Sequence, residues 1–312
     1  MSSMLSRITS GRIQKPQLLI LYGPDGVGKS TFAAQAPRPV FLGPESGTSE
    51  LNVSRFPSVT RFDQVGQAIH ELLTERHEFE TLVLDSLDWL EPLLWQQVCE
   101  EAGSANIEEA YGGFGKGFTV ALKHWRTLHL RLAELREVKK MNLVFIAHSQ
   151  VKAFNDPNQL QPYDRYMLKL NEKAAAVWRE FVDCVFFADY EVFLKKEGAK
   201  SAKAKALGDG SRILYTERKP SFDAKNRFGL PAEIPFKLGT AWDDYMAALR
   251  KAREAGKDIE AEIMELVPGI FDGKVQAQVR EYVQKSAGDV SRLTGALNRV
   301  KVILTQQQGE KV

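Results

Sequence analysis

The stretch "GPDGVGKS" at residues 23–30 constrains the fold of this chain more than any other. It fits the pattern G-x-x-x-x-G-K-[ST] and lies between an apolar run typical of a buried strand and a stretch typical of a helix. Glycines at these positions let backbone N–H groups surround phosphate oxygens closely. The sequence therefore predicts a P-loop that binds a nucleoside triphosphate.

The nucleotide-binding residues predicted from this motif are its own positions and the threonine that follows. They are Gly23, Pro24, Asp25, Gly26, Val27, Gly28, Lys29, Ser30 and Thr31. In such a loop the lysine reaches the β- and γ-phosphates and the hydroxyl binds Mg²⁺, so Lys29 and Ser30 are expected to take these roles. The expected ligands are ATP and Mg²⁺, and the alternative is a glycine turn that only serves the fold.

A carboxylate that helps to hold Mg²⁺ is expected at the end of another buried strand. The run "TLVLDS" (81–86) supplies Asp85 after four mostly apolar residues. The gap from Lys29 leaves room for an intervening strand and helix, so the metal strand is not expected to be the immediate neighbour of the P-loop strand. The alternative is that Asp85 only caps the following helix.

The general base for ATP hydrolysis is expected on a different strand end. Many AAA+ enzymes carry an acidic residue directly after the metal aspartate, but this chain has Ser86 there. The short strand "PVFLGPE" (39–45) ends in Glu45, which we predict to orient and deprotonate the attacking water. The alternative is an exposed loop glutamate.

A polar residue that senses the γ-phosphate is expected after the strand "NLVFIAHS" (142–149). His148 and Gln150 both lie near the end of this run, and the residues alone do not decide between them. The alternative is a hydrogen bond that only supports the structure.

Strands that alternate with helices predict an α/β fold with a mainly parallel, doubly wound sheet. We assign residues 17–239 to this core, residues 1–16 to a polar N-terminal arm and residues 240–312 to a helical C-terminal segment. The net charge is only +2, so binding to nucleic acid would require local basic patches.

The expected compartment is the cytoplasm, without a membrane partner. The two cysteines show no metal-site spacing, and a disulfide framework is not expected. No apolar run reaches the roughly 18 residues that span a bilayer, and the first residues lack the apolar stretch of a signal peptide.

Five motifs in this order resemble those of the RecA-like ATPases, which include RecA recombinases and DnaB-type helicases. They are "GPDGVGKS", "FLGPESG", "LVLDS", "FIAHSQ" and "AKNRFG". More narrowly, the chain resembles short phage-encoded nucleotide-binding proteins of the Sak recombinase type, for which the compartment would be the bacterial host cytoplasm. The resemblance implies a RecA-like P-loop NTPase core. By this resemblance Glu45 matches the catalytic glutamate of the family, and Gln150 or His148 matches the polar residue that opens its second DNA-binding loop.

The long polar segment after His148 shows no clear periodicity and corresponds to that second DNA-binding loop. Cations and aromatic rings interleave in it, as contacts with single strands require. The candidate DNA-binding residues here are Lys152, Phe154, Tyr163, Arg165 and Tyr166, with Lys169 as a further cation. The alternative is a mobile surface loop.

A second candidate DNA contact is the glycine-rich stretch "YGGFGKGF" (111–118), which contains Lys116. It follows the metal strand, where the family carries its first DNA-binding loop. A turn that links two helices explains the glycines equally well.

The pair Lys225 and Arg227 in "AKNRFGLP" matches a Lys-x-Arg pair that in the family reaches the ATP of a neighbouring subunit. Residues two apart on a strand point to the same face, so both cations are expected to point together. The alternative is a solvated edge strand.

The function predicted from the sequence is therefore a RecA-like, DNA-stimulated ATPase that acts on single-stranded DNA as a recombinase or annealing protein. The resemblance implies self-association into a filament or ring, and a single-strand-binding protein is a further candidate partner. A DnaB-like helicase or other motor, and a small-molecule kinase with a P-loop, are the alternatives.

Overall fold

Most strands of the chain form one ten-stranded sheet. The computed structural model describes residues 4–9, 13–44, 47–196, 204–287 and 289–309. The strands, of which β8 and β9 form a separate pair, are β1 (Leu18–Gly23), β2 (Pro39–Leu42), β3 (Ser54–Arg55), β4 (Thr81–Leu84), β5 (Asn142–Phe154), β6 (Tyr163–Leu168), β7 (Cys184–Tyr190), β8 (Phe193–Lys196), β9 (Ala204–Leu207), β10 (Arg212–Tyr215), β11 (Lys225–Asn226) and β12 (Glu233–Pro235).

The order of the strands places the P-loop strand in the middle of the sheet. The order is β12-β10-β7-β1-β5-β4-β2-β3, and neighbours from β7 to β3 run parallel. Strand β5 separates β1 from β4, the strand that precedes Asp85. The prediction that another strand lies between the P-loop strand and the metal strand is therefore confirmed.

The helices and the strands together supply the core beside the sheet. The helices are α1 (Lys29–Ala34), α2 (Asp63–Thr74), α3 (Leu87–Ala102), α4 (Lys116–Val138), α5 (Glu172–Phe181), α6 (Ala241–Leu266), α7 (Gly273–Lys285) and α8 (Val290–Gly309). Helices α2 to α5 bury their apolar side chains in one cluster that contains Trp125 and Trp178. Phe32 of α1 lies outside that cluster and packs against Phe236 and Trp242. In the part of the chain that the structure describes, each helix is too short or too polar to cross a membrane.

The chain divides into two compact units. One consists of Lys15–Asn226 and Ala232–Asp244 and contains the sheet. The other contains Arg227–Pro231 and the residues from Tyr245 onward. Its helices have their own apolar core, built from Ile263, Val267, Ile270, Val283, Leu293, Ala296, Leu297 and Val300.

The segment after His148 differs from the irregular loop expected from the sequence. Strand β5 continues to Phe154, and β6 returns beside it as the second strand of an antiparallel hairpin. The pairs run from Ser149 with Leu168 to Phe154 with Tyr163. This β5–β6 hairpin gives the candidate DNA contacts fixed positions relative to the sheet.

The ends of β2 and β4 approach each other closely at Gly43. The backbone N–H of Asp85 donates to the carbonyl of Leu42 at 3.1 Å. A Cβ atom on Gly43 would lie only 1.8 Å from the carbonyl oxygen of Asp85. Glycine at this position therefore lets Asp85 reach its place beside the P-loop.

Replacing Gly43 by alanine should destabilise the chain by at least about 2 kcal/mol, because the added methyl group meets backbone that cannot rotate away. Gly66 is a matched control, since it lies inside α2 with no atom within 4 Å of an added Cβ. Gly66→Ala should stabilise the chain by about 0.5–1 kcal/mol. Urea unfolding followed by tryptophan fluorescence measures both changes, and shifts in the same direction would contradict the expectation.

Candidate functional site

The P-loop begins where β1 leaves the sheet. Gly28 has a backbone φ of 105°, which residues with a Cβ atom rarely adopt. Lys29 is 6% exposed, and its Nζ donates hydrogen bonds to the carbonyls of Gly23 at 3.1 Å and Pro24 at 2.9 Å. These contacts hold the ammonium group against the loop, where it can approach phosphate oxygens.

The residues predicted to hold Mg²⁺ lie together. Ser30 Oγ donates to Asp85 Oδ2 at 2.7 Å, and Asp85 is 6% exposed. Mg²⁺ is usually bound by one or two protein oxygens together with phosphates and water, which a hydroxyl and a carboxylate suit. Among the described residues, no group of three or more His, Cys, Asp or Glu side chains could hold a metal ion. The donors thus fit a Mg²⁺ ion bound together with a nucleotide rather than alone.

His148 lies beside the P-loop, because it pairs with Gly23 in the register of β5 and β1. Its backbone N–H donates to Asp88 Oδ1 at 3.0 Å, and its ring Nδ1 lies 2.9 Å from Asp88 Oδ2. Its Nε2 lies 3.2 Å from Asp25 Oδ1 in the P-loop. The Asp88 carboxylate therefore orients the ring so that its other nitrogen faces the loop.

Two buried carboxylates of α3 differ in protonation. Burial opposes ionisation of Asp88, but hydrogen bonds from His148 outweigh it and lower the pKa of Asp88. Burial raises the pKa of Glu91 to about 7, and the nearby charge of Asp88 adds to this effect. Glu91 Oε2 accepts from the backbone N–H of Asn171 at 2.8 Å, while Oε1 is buried without a hydrogen-bond partner among the described residues. Near neutral pH, Asp88 is ionised and Glu91 is close to its titration point.

A cavity of about 470 Å³ collects most of the predicted nucleotide site. Its lining residues are Asp25, Gly26, Gly28, Lys29, Ser30, Thr31, Gly47, Glu50, Leu51, Asp85, Trp89, His148 and Lys169. We call it the P-loop cavity. Gly23 and Pro24 supply carbonyls to Lys29, and Val27 is fully buried behind the loop.

Gln150 does not line the P-loop cavity. Its Nε2 donates to the carbonyl of Leu168 at 2.9 Å, across the β5–β6 hairpin. It lines a second cavity of about 570 Å³. Of the two candidate sensors, His148 is the one whose side chain reaches the P-loop.

The second cavity, which we call the hairpin cavity, combines basic and apolar side chains. Its lining residues are Gln150, Lys152, Ala153, Phe154, Asn155, Arg165, Met167, Leu168, Leu170, Glu172, Ala175, Arg179, Arg218 and Asp223. Lys152 is exposed, and Phe154 packs edge-on against Tyr163 with ring centroids 5.7 Å apart. Lys152, Phe154 and Tyr163 thus lie within reach of solvent on the hairpin.

Of the two other candidate DNA contacts on the hairpin, Arg165 is buried and Tyr166 is partly buried. Arg165 is 3% exposed, donates to Asp223 Oδ1 at 2.6 Å and stacks over Phe154 at 4.7 Å. Tyr166 stacks on Phe187 with centroids 5.2 Å apart. Burial and an existing ion pair do not fit direct contact of Arg165 with DNA, so Arg165 is better explained as a support of the hairpin. Tyr166 is half-buried and stays a candidate contact.

Lys116 lies at the first position of α4, after a turn with several positive φ angles. The residues before it connect α3 with α4, and Phe114 in the turn is fully exposed. Lys116 lines neither the P-loop cavity nor the hairpin cavity. The turn between two helices, the alternative from the sequence, accounts for its glycines.

The expected strand with Lys225 and Arg227 on one face is not observed. Strand β11 ends at Asn226, and Arg227 belongs to the other compact unit. Lys225 Nζ donates to the carbonyls of Arg179 at 2.7 Å and Val182 at 2.6 Å. Lys225 therefore satisfies carbonyl groups at the C-terminal end of α5, a stabilising position for a cation.

The catalytic glutamate predicted from the sequence, Glu45, lies outside the described residues. Sequence reasoning did not identify Asp88 as the partner of His148, or Lys169 as a lining residue of the P-loop cavity. It also missed Tyr190, whose hydroxyl donates to the carbonyl of Gly26 at 2.9 Å. These contacts join residues far apart in the chain, and no local pattern marks them.

Comparisons with known proteins identify a family for this chain. A family model described as an AAA domain matches residues 15–228. Among solved structures, the crystal structure of the RadB recombinase is similar, with a TM-score of 0.39 and 15% identity over 72% of this chain and 89% of that chain. No curated protein matches the sequence significantly. The family match and the strand order confirm the predicted fold class, an α/β P-loop core with a mainly parallel sheet and helices after it.

Stability should depend on pH through Glu91. Its pKa is about 7 in the folded chain against its usual 4.5, so unfolding releases a proton between these values. The folded state must therefore lose stability as pH rises through that window, by roughly 2–4 kcal/mol. Glu91→Gln cannot ionise and should lose less stability between pH 5 and pH 8, as measured by urea unfolding.

The control for this measurement is Glu180→Gln, which changes an exposed glutamate of α5. It should keep the pH dependence of the parent chain. Parallel stability curves for the parent and Glu91→Gln would contradict the assignment of a buried, protonated Glu91.

Proposed function

The chain belongs to the AAA domain family, and we propose that it hydrolyses ATP while bound to single-stranded DNA, as a phage-type recombinase or annealing protein. The observation that best supports this proposal is that one strand, β5, borders two cavities. His148 lines the P-loop cavity, and Lys152 and Phe154 line the hairpin cavity. A rigid strand between a phosphate site and a basic, aromatic site suits an ATPase that responds to nucleic acid.

In the P-loop cavity, Lys29 would neutralise phosphate charge and Ser30 would hold Mg²⁺, with Asp85 behind it. The bound Mg²⁺ would supply positive charge to the phosphate oxygens. His148 would contact the γ-phosphate from the position where β5 stops pairing with β1, because Asp88 already fixes the orientation of its ring. Glu45 remains our proposal for the general base that takes the proton of the attacking water.

In the hairpin cavity, the DNA strand would meet three exposed or half-exposed cations and one aromatic ring. Lys152 and Arg218 are exposed, and Arg179 is half-buried beside Asp223. Phe154 offers a ring for base stacking, and the guanidinium group of Arg165 stacks against that ring. Phosphate neutralisation combined with stacking is the usual basis of single-strand binding.

Self-association into a filament or ring is part of the proposal. In the RecA-like ATPases a cation of one subunit reaches the ATP of the next, and Arg227 remains the candidate for that contact in this chain. Lys225 is left out, because its ammonium group is bound to carbonyls at the end of α5. A single-strand-binding protein is a further candidate partner.

ATP hydrolysis should require both Lys29 and Glu45. Lys29→Ala should weaken ATP binding by at least about 100-fold, since the loop loses its cation. Glu45→Gln should still bind ATP but hydrolyse it about 100-fold more slowly or worse, because an amide cannot accept the proton. Nucleotide titration calorimetry and steady-state phosphate release separate the two effects, and hydrolysis at the parental rate in Glu45→Gln would place the base elsewhere.

The same assay decides between the proposed function and a small-molecule kinase. We expect single-stranded DNA to raise the rate of hydrolysis and to increase the particle size measured by light scattering. A kinase would need a second substrate and would ignore DNA. Hydrolysis and particle size that do not change with DNA would therefore contradict the DNA part of the proposal, and leave the ATPase part intact.

DNA affinity should depend on the hairpin cavity and on salt. Lys152→Ala and Arg218→Ala should each lower the slope of log K against log[salt] by about 0.7, the value for one phosphate of a single strand. Phe154→Ala should cost roughly 1–3 kcal/mol of binding energy if the ring stacks on a base. Fluorescence anisotropy with a labelled oligonucleotide at several salt concentrations measures both quantities.

The control for these variants is Lys123→Ala, which removes an exposed cation from α4, away from the hairpin cavity. It should leave the salt slope unchanged. Equal slopes in all four proteins, together with unchanged affinity in Phe154→Ala, would exclude the hairpin cavity as the DNA site.

A further inference from the structure

Lys169 connects the β5–β6 hairpin with the P-loop cavity. It follows the last residue of β6, and its backbone N–H donates to the carbonyl of His148 at 3.0 Å. Its side chain is exposed and lines the P-loop cavity together with Lys29, Ser30 and Asp85. The sequence pattern grouped Lys169 with the DNA contacts, but the fold brings it to the phosphate side.

Two lysines line the P-loop cavity. Among its described lining residues, Lys29 and Lys169 are the only lysines or arginines. Lys29 is bound to the carbonyls of Gly23 and Pro24 inside the loop. Lys169 enters from a different element, beside His148, so the two cations approach the cavity from separate walls.

A second cation accelerates phosphoryl transfer. When the water oxygen bonds to the γ-phosphorus, the bond from phosphorus to the bridging oxygen breaks and ADP leaves, while the proton of the water passes to the general base. Negative charge increases on the bridging and γ-phosphate oxygens during this step. A fixed cation that contacts those oxygens lowers the barrier, because it binds the transition state more strongly than ATP.

We propose that Lys169 is this cation and that it acts on the ATP of its own subunit. The proposal rests on the ATPase function proposed above. The lysine expected for such a role from the sequence, Lys225, has its ammonium group at the end of α5 instead. Its strand partner Val185 pairs with Ile20, three positions before Gly23, so Lys225 lies away from the end of β1 that carries the P-loop.

The position of Lys169 also gives DNA a route to the reaction. Strand β6 pairs with β5 from Tyr163 to Leu168, and Lys169 comes next in the chain. A strand of DNA held in the hairpin cavity would contact the same hairpin whose base carries this lysine. Under this proposal, DNA in the hairpin cavity would act on Lys169 through the paired strands, and this is the route by which DNA would stimulate hydrolysis.

The test compares Lys169→Ala and Lys169→Arg with Lys173→Ala, which removes a nearby exposed lysine that lines neither cavity. Lys169→Ala should lower kcat by about 10²–10³-fold and change KM by less than about threefold, as expected for a contact made mainly in the transition state. Lys169→Arg should recover part of the rate. Lys173→Ala should match the parent.

Binding provides a readout that does not depend on turnover. ADP with Mg²⁺ and aluminium fluoride mimics the transferring phosphoryl group, and calorimetry compares its Kd with that of ADP and Mg²⁺ alone. The parent should bind the mimic at least about tenfold more tightly than ADP, and Lys169→Ala should lose this gain while it binds ADP as the parent does. An equal gain in the parent and Lys169→Ala would overturn the proposal.

Mixed assemblies distinguish action within a subunit from action between subunits. Lys29→Ala and Lys169→Ala subunits should show no recovery of hydrolysis when mixed, since each has a defective site of its own. Recovery would assign Lys169 to the neighbouring site and overturn the proposal as stated. If the parent does not hydrolyse ATP, the proposed function fails, and the binding comparison still decides the role of Lys169.

Discussion

The parallel pairing of β1 with β5 is the constraint on which the site depends. It sets Gly23, the first residue of the P-loop, beside His148 at the same edge of the sheet. Strand β4 pairs with the other side of β5 and ends next to Asp85. Because the carboxyl ends of parallel strands meet at one edge, the P-loop, Asp85 and His148 come together although they lie far apart in the sequence.

Three acidic residues spaced three apart extend this arrangement into helix α3. Asp85 binds Ser30, Asp88 binds His148, and Glu91 binds the backbone of Asn171 at the start of α5. Each carboxylate is buried and each is held by a different element. Asp85 and the first turns of α3 thereby join the P-loop, the middle of β5 and the chain that leaves the hairpin. The pKa of Asp88 is lowered by hydrogen bonds from His148, whereas burial raises the pKa of Glu91 to about 7.

Local patterns in the sequence predict the parts of the fold that local physics determines. Continuous apolar runs correspond to β1 and β4 because both faces of these strands are buried. The P-loop glycines and the lysine between them are likewise local. The family match and the strand order confirm the fold, whereas the roles of individual residues stay predictions.

The features that were not predicted depend on distant contacts. Beyond His148, β5 no longer pairs with β1 or β4 but only with β6, so its faces are partly exposed and no apolar alternation marks it as a strand. Asp88 and His148 are 60 residues apart, and Lys225 binds carbonyl groups more than 40 residues earlier in the chain. The sequence predicted functional contacts for both Lys225 and Lys169. Only the topology shows that Lys169 lines the P-loop cavity, whereas Lys225 binds carbonyl groups.

The β5–β6 hairpin has a mechanical consequence. Its paired part is six residues long, or roughly 20 Å. It is tied down along that length, because Arg165 donates to Asp223 and to the carbonyl of Phe222, and the backbone N–H of Tyr166 donates to the carbonyl of Ser221. The hairpin therefore acts as a fixed spacer, which holds Lys152 near its tip and Lys169 at its base a set distance apart.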